Sequence, residues 1–157
     1  MARTTSRVSD PRSSDRGPSE GILPELLGYH LRRTQLAVFA DFERSMSGID
    51  LTPGQFGVLA RIAANPGLTQ SALGRAVGLE RSTVVAVIDK LERRKLVVRG
   101  EAEGDRRANA LVLSDEGQKL FREATRRVRQ HERRIARHLT AVEAKALVAL
   151  LRKMRGF

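Results

Sequence analysis

Apolar side chains return every three or four positions through most of the chain, which is the spacing of one helix face. The first such pattern predicts a helix over residues 24–46, with Pro24 in its first turn. Later patterns, bounded by caps and breaks, predict further helices over residues 52–64, 69–77, 80–93, 115–138 and 140–154. Hydroxyl residues stand where N-caps are expected, at Thr52, Thr69, Ser114 and Thr140.

Two short strand-like segments rich in valine and leucine predict strands, at residues 96–99 (LVVR) and 110–113 (ALVL). A polar tip, residues 100–107, separates them, and Gly78 provides a tight joint between the third and fourth helices. This order predicts a mainly α fold with a small β-wing, a winged helix-turn-helix. Such a fold can place a helix in the major groove of DNA and a β-ribbon in the adjacent minor groove.

The chain is expected to divide into a disordered arm (1–20), a dimerisation helix (22–48), a winged helix-turn-helix domain (51–113) and further dimerisation helices (114–157). The arm has almost no apolar residues to bury, so burial cannot offset its loss of entropy on ordering. The first and last helices carry more apolar surface than a small winged domain can cover. A six-helix protomer that forms a homodimer through its N- and C-terminal helices resolves this excess.

Charge points to a polyanionic partner, because 29 Lys and Arg face 18 Asp and Glu, a formal net charge of +11. Double-stranded DNA is the first expectation and an anionic membrane the second, while an arginine-rich genome would explain the charge without a partner. The chain has no cysteine, which excludes disulfides, thiolate catalysis and thiol-based sensing. No apolar run long enough for a transmembrane helix and no secretory signal occur, so a cytoplasmic protein is expected.

From residue 22 onward the chain resembles the MarR family of dimeric transcriptional regulators. The resemblance rests on the order and spacing of residues 79–84 (LERSTV), 89–92 (DKLE), 96–99 (LVVR), 105–107 (DRR) and 113–117 (LSDEG). It implies six helices, a wing, a triangular dimer and an effector pocket where the dimerisation helices meet the DNA-binding lobe. The local run 27–36 (LGYHLRRTQL) resembles the subgroup that responds to hydroxycinnamoyl-CoA thioesters or related aromatic acids.

The fourth helix supplies the candidate base contacts. Arg81, Ser82 and Thr83 can address base edges or phosphates, and Val85 and Ala86 can contact thymine methyl groups. The family often carries Thr-Arg where this chain has Val85 and Ala86, so a usual contact is missing. Candidate phosphate contacts lie around this helix, at Gln70, Ser71, Arg93, Arg94, Lys95 and Arg99. Helix capping is the alternative explanation for Gln70, Ser71, Ser82 and Thr83, and a solvated charged face for the basic residues.

In the wing, Asp105 and Arg107 match the family's Asp-x-Arg pair. The resemblance implies that Asp105 orients Arg107, which probes the minor groove, while Arg106 contacts a phosphate. A solvated turn is the alternative. Lys95 replaces a glycine that is common in relatives, so a tighter or differently built bend into the wing is expected.

Candidate effector contacts cluster in the first two helices, at Tyr29, His30, Arg33, Phe39 and Phe56. Aromatic walls beside a cation suit an aromatic acid or an aromatic acyl-CoA, and a packed helix interface is the alternative. His131 and His138 share a helix face, for which a dimer seam or surface role is favoured over a metal site. No metal or cofactor is expected.

The resemblance implies a repressor that a ligand releases, and two recognition helices about 34 Å apart predict a pseudo-palindromic operator. The alternative is an architectural protein that binds any duplex, and a pure interaction module comes third. An enzyme is not expected, because the sequence has no nucleophile elbow, phosphate-cradling glycine loop or metal-ligand cluster.

Overall fold

A computed structural model describes residues 18–78, 80–102 and 105–154, apart from the side chains of residues 81, 101–102 and 105–109. Most of the predicted N-terminal arm, residues 1–17, lies outside this part of the chain. The described elements follow in the order α1 (Leu27–Ser45), α2 (Pro53–Ala64), β1 (Leu68–Thr69), α3 (Gln70–Val77), α4 (Arg81–Arg93), β2 (Val97–Ala102), β3 (Asp105–Leu113), α5 (Asp115–Ile135) and α6 (Ala141–Met154). The predicted fold of six helices with a small sheet is confirmed.

The chain divides after Leu36 into two compact units. In the first, Pro24 belongs to a short 3-10 turn, Leu23–Glu25, and Leu26 then takes an extended backbone. The extended residue separates the turn from the helix, so α1 begins at Leu27 and not at Pro24 as predicted. Ile22 and Leu27 are exposed in this unit.

The second unit is built around an apolar core to which the last turns of α1, the sheet and helices α2 to α5 all contribute. Its buried side chains are Phe42, Met46, Leu51, Val58, Leu59, Ile62, Leu73, Val84, Ile88, Leu91, Leu96, Val97, Leu111 and Ala124. Because α2, α3 and α4 each bury one face in this core, their opposite faces point outward.

The predicted N-caps are confirmed by their hydrogen bonds. Thr52 forms a capping box with Gln55, in which each side chain accepts from the other residue's amide at 3.2 and 3.1 Å. Thr69 accepts from the Ala72 amide at 3.2 Å and Ser114 from the Gly117 amide at 2.9 Å. These caps fix where the helices around the wing begin.

The wing is longer than predicted and has a third strand. The sheet is antiparallel in the order β1-β3-β2, with Leu68 paired to Leu111 and Val98 to Val112. Strands β2 and β3 extend through most of the predicted tip, residues 100–107, of which residues 103–104 lie outside the described chain. The short strand β1 was missed because two residues carry no detectable alternation.

An ion-pair cluster joins α1 to α5 within the second unit. His131 is only 2% exposed, and its Nδ1 donates to Asp41 Oδ2 at 2.7 Å. Arg134 donates to the same oxygen at 3.0 Å, and the Phe42 ring meets the imidazole edge to face. The prediction of a dimer-seam or surface role for His131 was therefore wrong, because Asp41 draws the ring into the protomer. The hydrogen bond from His131, followed by that from Arg134, holds the Asp41 pKa well below its usual range.

We predict that Gly117→Ala strongly destabilises the protein. A Cβ on Gly117 would lie 2.8 Å from the Leu96 carbonyl carbon and closer still to its oxygen, both of them backbone atoms. Urea unfolding should show a loss of about 3 kcal/mol, the upper range for overpacking. The control is Gly57→Ala in α2, where a Cβ meets no atom within 4 Å, and a gain of about 0.5–1 kcal/mol is expected. Equal stability of Gly117→Ala and wild type would contradict this packing.

We predict that Asp41→Asn lowers the free energy of unfolding at pH 7. The difference between the variant and the wild-type chain should become smaller at acidic pH. A depressed carboxyl pKa contributes stability that is complete above the unfolded value of about 3.9 and is lost as pH falls through the folded value. Urea unfolding at pH 7, 5 and 3.5 measures the difference. Glu43→Gln, which neutralises an exposed carboxylate on the same helix, is the control and should change little. A difference independent of pH would refute the role of the Asp41 charge.

Candidate nucleic-acid interface

Helix α4 has one buried and one exposed face. Val84, Ile88 and Leu91 are at most 1% exposed, whereas Ser82, Thr83 and Ala86 are exposed. Glu80 occupies the N-cap position, without a capping hydrogen bond from its side chain, so Ser82 and Thr83 lie inside the helix and are not its N-cap. The core thus turns these candidate base contacts toward solvent. Val85 is only half-buried, and the Arg81 side chain lies outside the described part of the structure.

Helix α3 packs against α4. Gln70 is half-buried and Ser71 exposed, and Thr69 is the N-cap, so capping does not explain either residue. Gly78 ends α3 in the left-handed conformation (φ 65°), which glycine adopts without steric cost. This is the helix-turn-helix geometry that the sequence predicts.

The three arginines predicted to contact phosphates have different surroundings in the structure. Arg93 is exposed at the end of α4. Arg94 donates to the carbonyl oxygens of Asp50 and Ile49 at 2.6 and 2.8 Å, which ties the end of α4 to the loop before α2. Arg99 pairs with two carboxylates of α4. The sequence does not reveal these partners of Arg94, because they lie more than forty residues away.

Lys95 forms the bend between α4 and β2. Its φ of 56° is left-handed, the region that favours glycine. Its amide donates to the Glu92 carbonyl at 2.7 Å. Lys95 thus takes the left-handed conformation that favours glycine, and the expected difference from the bend of relatives stays a prediction.

The wing carries the remaining candidates on β3. Residues 105–107 belong to this strand, and β2 and β3 pair from Val97 and Leu113 outward to Ala102 and Asp105. The side chains of Asp105, Arg106 and Arg107 lie outside the described structure, so the orientation of Arg107 by Asp105 stays a prediction.

In the first unit, two candidate effector residues, Tyr29 and Arg33, share hydrogen bonds with each other and with Glu20. The Tyr29 hydroxyl donates to Glu20 at 2.5 Å, and Arg33 donates to Tyr29 Oη at 2.9 Å and to Glu20 at 3.3 Å. The bond to Tyr29 is the main reason why the Arg33 pKa is raised. His30 donates to the Pro24 carbonyl at 2.8 Å. Tyr29, Arg33 and Glu20 thus form a polar cluster.

In the second unit, Phe39 is exposed, and Phe56 stacks on Phe121 with ring centroids 5.7 Å apart. Phe121 also lines an open groove of about 420 Å³ formed by α2, β3 and α5. The other lining residues are Ile62, Ala63, Pro66, Val112, Leu113, Gln118 and Arg122. Sequence reasoning missed this groove, because its residues come from three separate segments and no local pattern marks them.

Comparison with known proteins decides the family. A model of the MarR family matches residues 49–108, which span the helix-turn-helix and much of the wing. A putative transcriptional regulatory protein for the hcr operon of Thauera aromatica is 36% identical over 135 residues, covering 85% of this chain and 81% of that protein. The chain belongs to the MarR family.

Solved structures of one MarR-type protein, the transcriptional repressor CouR, agree with this assignment. CouR bound to a 23-mer DNA duplex superposes with a TM-score of 0.84 at 38% identity, covering 89% of this chain and 99% of CouR. CouR bound to p-coumaroyl-CoA gives a TM-score of 0.81 at 38% identity, covering 87% and 96%. This MarR-family chain is accordingly a DNA-binding transcriptional regulator.

The MarR-family chain shows neither a membrane-spanning helix nor a metal-binding cluster in its described ranges. No helix there is long and apolar enough to cross a membrane. No group of three His, Cys, Asp or Glu residues is placed to hold a metal ion.

We predict that Arg93→Ala and Arg94→Ala act differently. Loss of a phosphate contact by Arg93 should make the fall of log K with log salt less steep, by about 0.9 in the slope, without altering stability. Arg94→Ala should lower stability by about 1–3 kcal/mol, because the two carbonyl oxygens lose a charged donor. Fluorescence anisotropy between 50 and 200 mM salt, together with urea unfolding, measures both effects. The same change in slope and stability for the two variants would contradict their different placement.

Proposed function

We propose that this MarR-family regulator is a homodimeric repressor that binds a pseudo-palindromic operator and is released by an aromatic acyl-CoA or aromatic acid. The observation that carries the proposal is α4, whose exposed Ser82, Thr83 and Ala86 are held outward by a buried face. A repressor acts on chromosomal DNA, so we place it in the cytoplasm, and we propose no enzymatic activity and no cofactor.

Exposed apolar side chains support a homodimer. On α6, Val142 and Leu150 are 78% and 60% exposed, and in the first unit Ile22 and Leu27 are 64% and 60% exposed. Such residues are normally buried, and a two-fold interface covers the same patch on both copies. The division into dimerisation segments 22–48 and 114–157 around the DNA-binding segment 51–113 is part of this proposal. Two copies of α4 about 34 Å apart would meet successive major grooves.

The groove between α2, β3 and α5 suits the aromatic part of the effector. Its walls are mostly apolar, and Gln118 and Arg122 add polar contacts that can fix an orientation. Other exposed cations of α5 lie at helical spacing around Arg122: Lys119, Arg129 and Arg133. Guanidinium groups bind phosphates through paired hydrogen bonds, so this face suits the phosphates of coenzyme A. The binding of p-coumaroyl-CoA by CouR supports the same ligand class.

The effector contacts predicted from the sequence remain candidates. Phe56 lies behind the groove through its stack on Phe121. Tyr29, His30, Arg33 and Phe39 stay candidate effector contacts.

An architectural protein that binds any duplex is the second candidate. The observation in its favour is Ala86, exposed on α4 where relatives often carry arginine, together with the net charge of +11. It predicts equal affinity for unrelated sequences.

The test is anisotropy binding to a labelled fragment from upstream of its own gene and to an unrelated duplex. p-Coumaroyl-CoA, free p-coumarate and coenzyme A are titrated separately. We expect selective binding that the thioester releases. Arg122→Ala should raise the thioester concentration needed by about tenfold, since a charge-assisted contact is lost, and should leave DNA affinity unchanged.

Arg152→Ala on α6 removes the same charge away from the groove and is the matched control. Equal responses of the two variants would refute the groove as the effector site. Equal binding to both duplexes would refute the repressor and favour the architectural protein.

A further inference from the structure

The guanidinium of Arg99, on β2, bridges two carboxylates of α4. Its Nη1 donates to Glu92 Oε2 and its Nη2 to Asp89 Oδ1, each at 2.5 Å. Asp89 and Glu92 are three residues apart and therefore share a helix face. All three side chains are partly buried, and Arg99 Nε is buried without a partner among the described residues.

The charges of this cluster do not suit a phosphate contact. One guanidinium faces two carboxylates, so an approaching phosphate would meet a net negative group. Arg93 differs, because it is exposed and has no ion-pair partner among the described residues. The two arginines were predicted to have the same role, and their surroundings give them different ones.

The bend at Lys95 gives the cluster a mechanical role. Only residues 94–96 connect α4 to β2, so contacts beyond the bend must fix the angle between helix and strand. Arg99 reaches back over this bend to residues seven and ten positions earlier. Its planar fork can hold both carboxylates in one geometry, which the single ammonium group of lysine cannot do.

We propose that Arg99 is a positioning residue for operator recognition, which fixes the angle between α4 and the wing and does not neutralise a phosphate. Base contacts by α4 and groove contacts by the wing require both elements in one geometry. Loss of Arg99 therefore weakens binding to the operator while leaving nonspecific electrostatic attraction intact. This inference rests on the proposed DNA binding by α4.

The test compares Arg99→Ala, Arg99→Lys and Arg93→Ala with the wild-type chain, on the operator fragment and on an unrelated duplex, across a salt series. We expect both Arg99 variants to lose at least about tenfold in operator affinity, with the unrelated duplex and the salt slope unchanged. Arg93→Ala should make the salt dependence less steep on both duplexes, by about 0.9 in the slope of log K against log salt. Near-wild-type binding by Arg99→Lys, with a reduced slope for Arg99→Ala, would identify a phosphate contact and overturn the proposal.

Removal of the carboxylates tests whether Arg99 acts through them. In a chain carrying Asp89→Asn and Glu92→Gln, the further change Arg99→Ala should cost less than about twofold in operator affinity, because the bridge is already lost. A further loss as large as in the wild-type background would overturn the proposal. These neutral replacements also avoid leaving two unpaired carboxylates, the change most apt to disturb folding.

Amide hydrogen exchange gives a readout that needs no DNA. Arg99→Lys should exchange faster in β2 and β3 with an unchanged core of α2, and unchanged exchange in the wing would overturn the proposal. A wild-type chain that fails to select its operator would refute the proposed function, whereas the exchange result would still report on the bridge.

Discussion

The burial of one face of α4 is the constraint on which the DNA interface depends. Val84, Ile88 and Leu91 are almost completely buried, and each such side chain contributes about 1.5–3 kcal/mol. No single exposed polar contact is worth as much, since exposed ion pairs give about 0–1 kcal/mol. The core therefore sets which residues of α4 face outward, and the polar contacts of Arg94 and Arg99 act on a helix whose rotation is already determined.

Features set by local sequence could be predicted. The caps at Thr52, Thr69 and Ser114 require only a hydroxyl two or three residues before the amide it binds, and all three are found. The joint at Gly78 and the periodic helices are local in the same sense. The start of α1 was misplaced because Pro24 suits the first turn of a 3-10 helix as well as that of an α-helix.

Features set by distant residues could not be predicted. His131 is buried by Asp41, ninety residues earlier, and Arg94 is engaged by carbonyl groups more than forty residues away. The spacing of apolar residues along the chain does not indicate such distant partners. The groove beside Phe121 is likewise assembled from α2, β3 and α5. The resemblance to the MarR family supplied the expectation of DNA binding, while the structure supplied the separate surroundings of Arg93, Arg94 and Arg99.

The most direct test of the account is a hydroxyl-radical footprint of the full chain on the fragment from upstream of its own gene. A homodimer that places two copies of α4 in successive major grooves predicts two protected patches of related sequence, with centres about one helical turn, or 10 base pairs, apart. Uniform protection along the fragment, or one patch without a symmetric partner, would contradict the account.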